Sequence, residues 1–498
     1  MWGLKTILYF GLFWVACLMA LVNPIWGVVN YVMAYQTNPT STWWGIPLTE
    51  MGMRFSMIAA VFTVVGLLVA TRHVPRIRPV LSWWEVGLVA IVGIAALNLL
   101  VGYEYGASAR HAFEKLWKML LFVFILGRLA VTRRNFKIIL WTFVVGSLYV
   151  GYDAYTAPPS SFWLGRLERI GGPDFSTTSG TAAHLGAMLP LIGAAFLIAR
   201  RWPWRALAAL AGAFTVNAIV LCRTRSAFVG LACGAVAALM VAPKARRFRI
   251  HAMLVAGAVV AFSLTDVHFW NRMNTLTSKT ALSEDAATVS RTEIWRNAVH
   301  ILMDHPQGVG AGNFPQVIGR YDPRYYRRSS HNTLLVCFTE LGIQGGMVFL
   351  LMAVGSLYYL RRTVQMAADT DDPLETKLLV YGSLVSFITY FVTGLGTERF
   401  YCESFWWVFI LPLCLYRMAT SEAAAHALVP AGVPVEDPDD NDPVDARGRG
   451  IIPDVDGACG AAGGTVVPPT VAVDGAATSR CRTSPGFPFS TGEAAHGS

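Results

Sequence analysis

Long apolar runs follow one another through most of this chain, broken by short turns and clusters of Lys and Arg. Each run approaches the length a helix needs to cross hydrocarbon, about 20 residues for about 30 Å. Hydrophobic residues make up 54% of the chain and charged ones only 14%, so most of the +9 net charge must lie between the runs. A charge at a span centre costs roughly 2.5–3.5 kcal/mol on insertion scales. The expected fold class is therefore all-α: a polytopic transmembrane helical bundle with a large outer loop containing short helices. A basic balance of this kind describes loops at a membrane, and no nucleic acid is expected as a partner. The eight cysteines are scattered without a C-x-x-C pair, which points to neither a metal site nor a disulfide framework.

The runs predict about twelve spans. They fall near 6–26, with a Pro24-broken continuation to Tyr35, then 53–70, 80–102, 113–131, 136–150 and 181–199. The rest fall near 206–221, 226–241, 250–264, 332–360, 376–393 and 404–416. Alternate loops carry the basic clusters: Arg72, Arg76 and Arg78; Arg128, Arg133, Arg134 and Lys137; Arg200, Arg201 and Arg205; Lys244, Arg246, Arg247 and Arg249; Arg361 and Arg362. By the positive-inside rule those loops are cytoplasmic, as are both ends. Lys5 precedes the first run as in a signal peptide, but no small-x-small cleavage site follows, so the run reads as a retained helix. Residues 1–420 then form the membrane domain, with 265–331 as its large outer loop. From 421 to 498 the chain turns to Pro, Gly, Ala and acidic residues, a disordered cytoplasmic tail by composition. No internal repeat of the kind built into many transporters is visible.

The outer segments hold the chemistry. Ser290-Arg291-Thr292-Glu293 reads as a capping box, placing Arg291 in the first turn of an amphipathic helix through Ile294, Trp295, Ala298, Ile301 and Leu302. That helix should end at Asp304-His305-Pro306, before a Gly308–Phe314 stretch that reads as a flexible turn. Its glycine spacing does not fit a dinucleotide fingerprint. Arg225-Ser226 opens one apolar helix and Ser330-His331-Asn332 another, so these residues sit where free N–H groups favour an anion. The same field disfavours imidazolium, leaving His331 suited to act as a base. Arginine suits a phosphate because its fork donates two parallel hydrogen bonds. Each residue also has a plain structural reading. Arg223 and Arg399 are most simply interfacial snorkelling residues, and His184 a hydrogen-bonded core histidine. Glu340 would meet a buried polar or cationic partner, and Arg324-Tyr325-Tyr326-Arg327-Arg328 is most simply a solvated face.

Four blocks in order resemble the O-antigen ligase and O-antigen polymerase-like membrane glycosyltransferases. They are Arg223-Thr224-Arg225-Ser226-Ala227, Ser290-Arg291-x-x-x-Trp295, His305-Pro306-x-Gly308-Val309-Gly310-x-Gly312-Asn313-Phe314, and His331-Asn332-x-x-Leu335 with Glu340-Leu341-Gly342. The resemblance is close over roughly 172–346 and elsewhere lies only in topology. It implies a bacterial inner-membrane enzyme that moves a glycan from a polyprenyl (undecaprenyl) pyrophosphate to an acceptor hydroxyl at the periplasmic face. The acceptor would be lipid A-core, or another glycan or a protein. By motif match Arg225 and Arg291 hold the pyrophosphate and His331 is the base, with inversion at the anomeric carbon. Arg223, Arg328 and Asn332 beside them are candidate substrate contacts. The family works without a metal or cofactor, and this chain has no outer D-x-D cluster. A polysaccharide polymerase or a protein O-oligosaccharyltransferase fits the same blocks. A polysaccharide transporter or flippase is the reading from another class, and it would call for charged or discontinuous helices near the membrane midplane.

Overall fold

The computed structural model describes residues 3–428 apart from 71–80, 102–105, 169, 171, 173, 176 and 275–285. The basic cluster Arg72, Arg76 and Arg78, and the expected tail from 429 onward, lie outside the described residues. The first apolar run is two helices, α1 (Leu4–Val22) and α2 (Ile25–Thr37), separated at Asn23-Pro24 because proline cannot donate within a helix. A short α3 (Ile46–Glu50) leads into α4 (Phe55–Val69). Then come α5 (Trp83–Val101), α6 (Gly106–Leu129), α7 (Arg133–Tyr155), α8 (Thr178–Ile198), α9 (Trp202–Cys222), α10 (Arg225–Val241) and α11 (Arg247–Ser263). The large loop holds α12 (Val267–Asn274), α13 (Ala286–Asp304) and α14 (Phe314–Tyr321). The chain then returns through α15 (Thr333–Met366), α16 (Pro373–Gly394) and α17 (Glu403–Leu428). The last helix thus runs past the expected boundary at 420. The strand pair among the described residues is a hairpin of Phe162–Trp163 with Arg166–Leu167.

The all-α membrane class holds, and each of the twelve expected runs overlaps a described helix. Eight described helices are long and apolar enough to cross a membrane, or up to ten if each of two bent helix pairs counts as one span. Four of the helices, α4, α6, α10 and α11, fall outside those eight. At 15 residues α4 is short, as are α10 and α11 at 17 each, and α6 carries Arg110, Glu114, Lys115 and Lys118.

Close packing needs small residues, since lipid gives helices no hydrophobic reason to associate. Gly230 of α10 faces α16 so tightly that a Cβ there would lie 2.0 Å from Thr393 Oγ1. Aromatic rings fill the centre between α15, α16 and α17, where the Phe405 and Phe409 centroids are 4.5 Å apart and those of Phe349 and Phe409 5.5 Å. At the end of the bundle remote from the large loop, ions are paired. Glu85 accepts from Arg128 Nε at 2.6 Å and from Arg417 Nη2 at 2.6 Å. Arg133 spans Glu375 at 3.1 Å and Glu422 at 2.6 Å.

The loop has its own small core: Ile294, Ala298 and Ile301 of α13 pack on Val309, Phe314, Val317 and Ile318. The apolar face predicted for this helix is therefore covered by the rest of the loop together with Leu335 at the start of α15. Its start differs from expectation, because α13 begins at Ala286 and Ser290 lies inside it. The capping-box reading fails, and Arg291 is not in the first turn.

Candidate functional site

Helix α15 is broken near its start, and the break organises the site. Gly342 has φ 76° and ψ −178°, a conformation costly for any residue with a Cβ. The backbone groups released there are taken up by the Pro-Gly stretch. Val309 N donates to the Thr339 carbonyl at 2.9 Å, Gly310 N to the Glu340 carbonyl at 2.9 Å, and Ile343 N to the Pro306 carbonyl at 2.9 Å. Gly308, Gly310 and Gly312 all have positive φ, which lets the strip turn against the helix. The Glu340 carboxylate closes the join by accepting from Gly312 N at 2.7 Å, Phe314 N at 3.2 Å and the Tyr401 hydroxyl. This segment is a fixed strap and not the flexible turn its composition suggests. Glu340 meets backbone amides and a phenol, with no cation among these partners.

His331 stands just before α15 with φ 51°, the left-handed region. Its flanks are clamped from two sides. Trp295 Nε1 donates to the Ser330 carbonyl at 2.8 Å, tying α13 to this turn. Thr333 Oγ1 donates to the Thr397 carbonyl at 3.1 Å and accepts from Arg399 N at 2.8 Å, tying the turn between α16 and α17 to it. The His331 amide donates to Ser329 Oγ at 3.2 Å, and the Ser329 hydroxyl donates to Glu398. Because Arg291 lies four residues before Trp295, both fall on one face of α13. Burial, then the charges of Arg291, Arg399 and Arg328, push the His331 imidazole from its ordinary 6.5 to about 4. It is neutral over the physiological range, as expected, although the cause is burial and guanidinium charge.

The remaining predicted residues sit as follows. Arg225 is the first residue of α10, and the neighbouring Ser226 hydroxyl bonds the Thr397 hydroxyl at 2.8 Å. The amino termini of α10 and α15 therefore meet across Thr397, which brings the positive ends of two helix dipoles to one place. The Arg225 charge also acts on Arg166 of the hairpin. Arg223, left-handed at φ 45°, donates to the Gly165 carbonyl at 2.5 Å and to Asp266, so it braces the hairpin and the start of the large loop. Asn332 uses its amide oxygen to cap α15, accepting from Leu334 N at 3.0 Å and Leu335 N at 3.1 Å. Arg328 N donates to the Tyr325 carbonyl at 2.9 Å, and the Arg328 charge reaches His331.

Arg399 is the residue that the sequence reading sets aside. It is half-buried and points inward, with Nη1 donating to the Asp174 carbonyl at 3.4 Å and Nε to the Glu398 carbonyl at 2.5 Å. The Asp174 side chain in turn accepts from Lys115 Nζ at 2.9 Å and the Tyr35 hydroxyl at 2.5 Å. Burial alone would raise this carboxyl, but Lys115 and Tyr35 outweigh it and hold it below the usual range. The sequence signal was the polar Thr397-Glu398-Arg399 turn between two apolar spans, which has no local mark of facing His331. His184, expected to be hydrogen-bonded, is fully buried and lies against Phe175 with ring centroids 4.7 Å apart and planes tilted by 40°, neither ring nitrogen being bonded. Among the described residues no cluster of three His, Cys, Asp or Glu side chains could hold a metal ion.

Residues 209–350 match the family model described as O-antigen ligase. The match begins within α9 and ends within α15, so it takes in Arg225, Arg291 and His331 and leaves out Lys115, Asp174 and Arg399. No curated protein matches the chain.

Proposed function

We propose that this O-antigen ligase-like membrane protein transfers a glycan from a polyprenyl diphosphate donor to an acceptor hydroxyl, with His331 as the base. What carries the reading is the convergence of Arg291, Arg328 and Arg399 on one neutral imidazole, beside the joined amino termini of α10 and α15. A diphosphate leaves readily only if its growing negative charge is met, and preorganised guanidinium groups and helix N–H dipoles meet it without reorganisation. The acceptor oxygen gives its proton to His331 and bonds to the anomeric carbon. The bond from that carbon to the phosphate oxygen breaks, and the electron pair leaves with the lipid diphosphate. One displacement inverts the carbon. In this reading Arg291 and Arg225 grip the diphosphate, Arg399 adds a third guanidinium, and the site faces the periplasm.

The experiment is transfer by the purified full-length protein in nanodiscs, given a lipid-linked glycan and lipid A-core, glycan or protein acceptors in turn. Transfer to lipid A-core that disappears in His331→Ala, with unchanged membrane insertion, supports the proposal. Undiminished transfer by that variant removes His331 as the base.

A further inference from the structure

Arg399 is held differently from five other arginines of the chain. Arg128, Arg133, Arg223, Arg324 and Arg417 each give their guanidinium to a carboxylate, which largely cancels its charge. Arg399 instead donates Nε to the Glu398 carbonyl and Nη1 to the Asp174 carbonyl, and its Nη2 has no protein partner among the described residues. Carbonyl dipoles fix the plane of the fork and leave its positive charge for an anion.

The Asp174 carboxylate is engaged elsewhere. It accepts from Lys115 Nζ of α6 at 2.9 Å and from the Tyr35 hydroxyl of α2 at 2.5 Å, so two helices hold the residue whose carbonyl meets Arg399. Room for that meeting is made at Gly180, in the first turn of α8. A Cβ there would lie 2.3 Å from the Asp174 carbonyl oxygen and 3.0 Å from Arg399 Nη1. The next residue pins the same turn, Thr181 Oγ1 donating to the Phe175 carbonyl at 3.2 Å. Tyr35, Lys115, Asp174 and Gly180 all lie outside the matched stretch 209–350. Resting on the proposed transfer reaction, we infer that Asp174 is a positioning residue: Lys115 and Tyr35 fix its carboxylate, and its carbonyl, admitted by Gly180, aims the Arg399 guanidinium at the departing diphosphate. A direct ion pair with the carboxylate would hold Arg399 as firmly but spend the charge that the leaving group needs.

The test is a double-mutant cycle on the full-length protein in nanodiscs, read by transfer kinetics and by binding of inorganic diphosphate, which carries the whole charge that the leaving group develops. Asp174→Ala should lower kcat by about tenfold with KM little changed, since the contact serves charge that grows during the reaction. Asp174→Asn, which keeps one acceptor oxygen, should recover part of that loss. Gly180→Ala disturbs the contact from the other side without touching the carboxylate and should cost about as much, with insertion and thermal stability measured alongside. Either change combined with Arg399→Lys should cost little more than Arg399→Lys alone, because residues that act through one another are not additive. Losses that multiply in both readouts overturn the inference, and so does wild-type behaviour of Asp174→Ala and Gly180→Ala. The same non-additivity in diphosphate binding by a protein that transfers no glycan keeps Asp174 in its role and sinks only the proposed reaction.

Discussion

At one end of the bundle Glu85 lies between Arg128 and Arg417, and Arg133 between Glu375 and Glu422; at the other, Arg291, Arg328 and Arg399 all act on His331. The first arrangement matches sign with sign across helices far apart in sequence, and its work is to hold α5, α6, α7, α16 and α17 together. The second gathers like charges around one imidazole. Such a gathering disfavours imidazolium and favours an anionic visitor. Both ends are rich in arginine, so the difference lies in partners and not in composition.

The largest expected effect is at the site-bearing end. His331→Ala should cut glycan transfer by about 10²–10⁴, the usual contribution of a general base, while the protein remains inserted. Equal turnover in the variant would break the comparison, since the guanidinium cluster would then surround a bystander. At the opposite end, Glu85→Ala should destabilise by roughly 3–5 kcal/mol, because it strands two guanidinium groups. Thermal denaturation in detergent reads this, with transfer per folded molecule unchanged. A loss of transfer at full stability would show that the two ends are not separate in role.

Arg399→Lys sharpens the contrast further. A point charge does not reproduce the guanidinium fork, and one charge-assisted hydrogen bond is worth roughly 1.5–3 kcal/mol, so kcat/KM should fall by about ten- to a hundredfold. Wild-type kcat/KM would return Arg399 to a merely interfacial role.

The smallest effect concerns pH. With the imidazole at about 4, transfer should hold steady from neutral pH down to about 5 and fall below that, where His331 gains a proton. Arg291→Gln removes the largest charge opposing protonation and should move the acidic limb upward, toward the ordinary 6.5. A limb that stays in place would mean that burial alone sets it. The sign for stability is the same. The folded imidazole resists a proton that the unfolded one accepts, so its contribution is full above 6.5 and is lost as pH falls through about 4.

Much of the fold was legible because hydrocarbon imposes a one-dimensional rule: apolar runs become helices. The same rule does not fix the number of spans, since run length alone does not weigh the charges in α6 or the shortness of α10 and α11. Ser290 showed the limit of local signals. Its capping box is sound as a pattern, yet the helix starts at Ala286. The strap of Gly308, Gly310 and Gly312 looked flexible for a related reason, because glycine permits many conformations and only the carboxylate of Glu340 and the break at Gly342 select one.

By itself the sequence determined that this chain is a helical membrane protein, and that Arg225, Arg291 and His331 fall within the stretch that matches the O-antigen ligase family model. These are matters of composition and short-range order. Only the tertiary structure decided that Arg399 turns inward to the Asp174 carbonyl, that Arg223 is held by Asp266, and that Lys115 pairs with Asp174. Those outcomes depend on which helix ends meet. Contacts between residues a hundred or more positions apart are set by packing the whole bundle, and no local pattern records them.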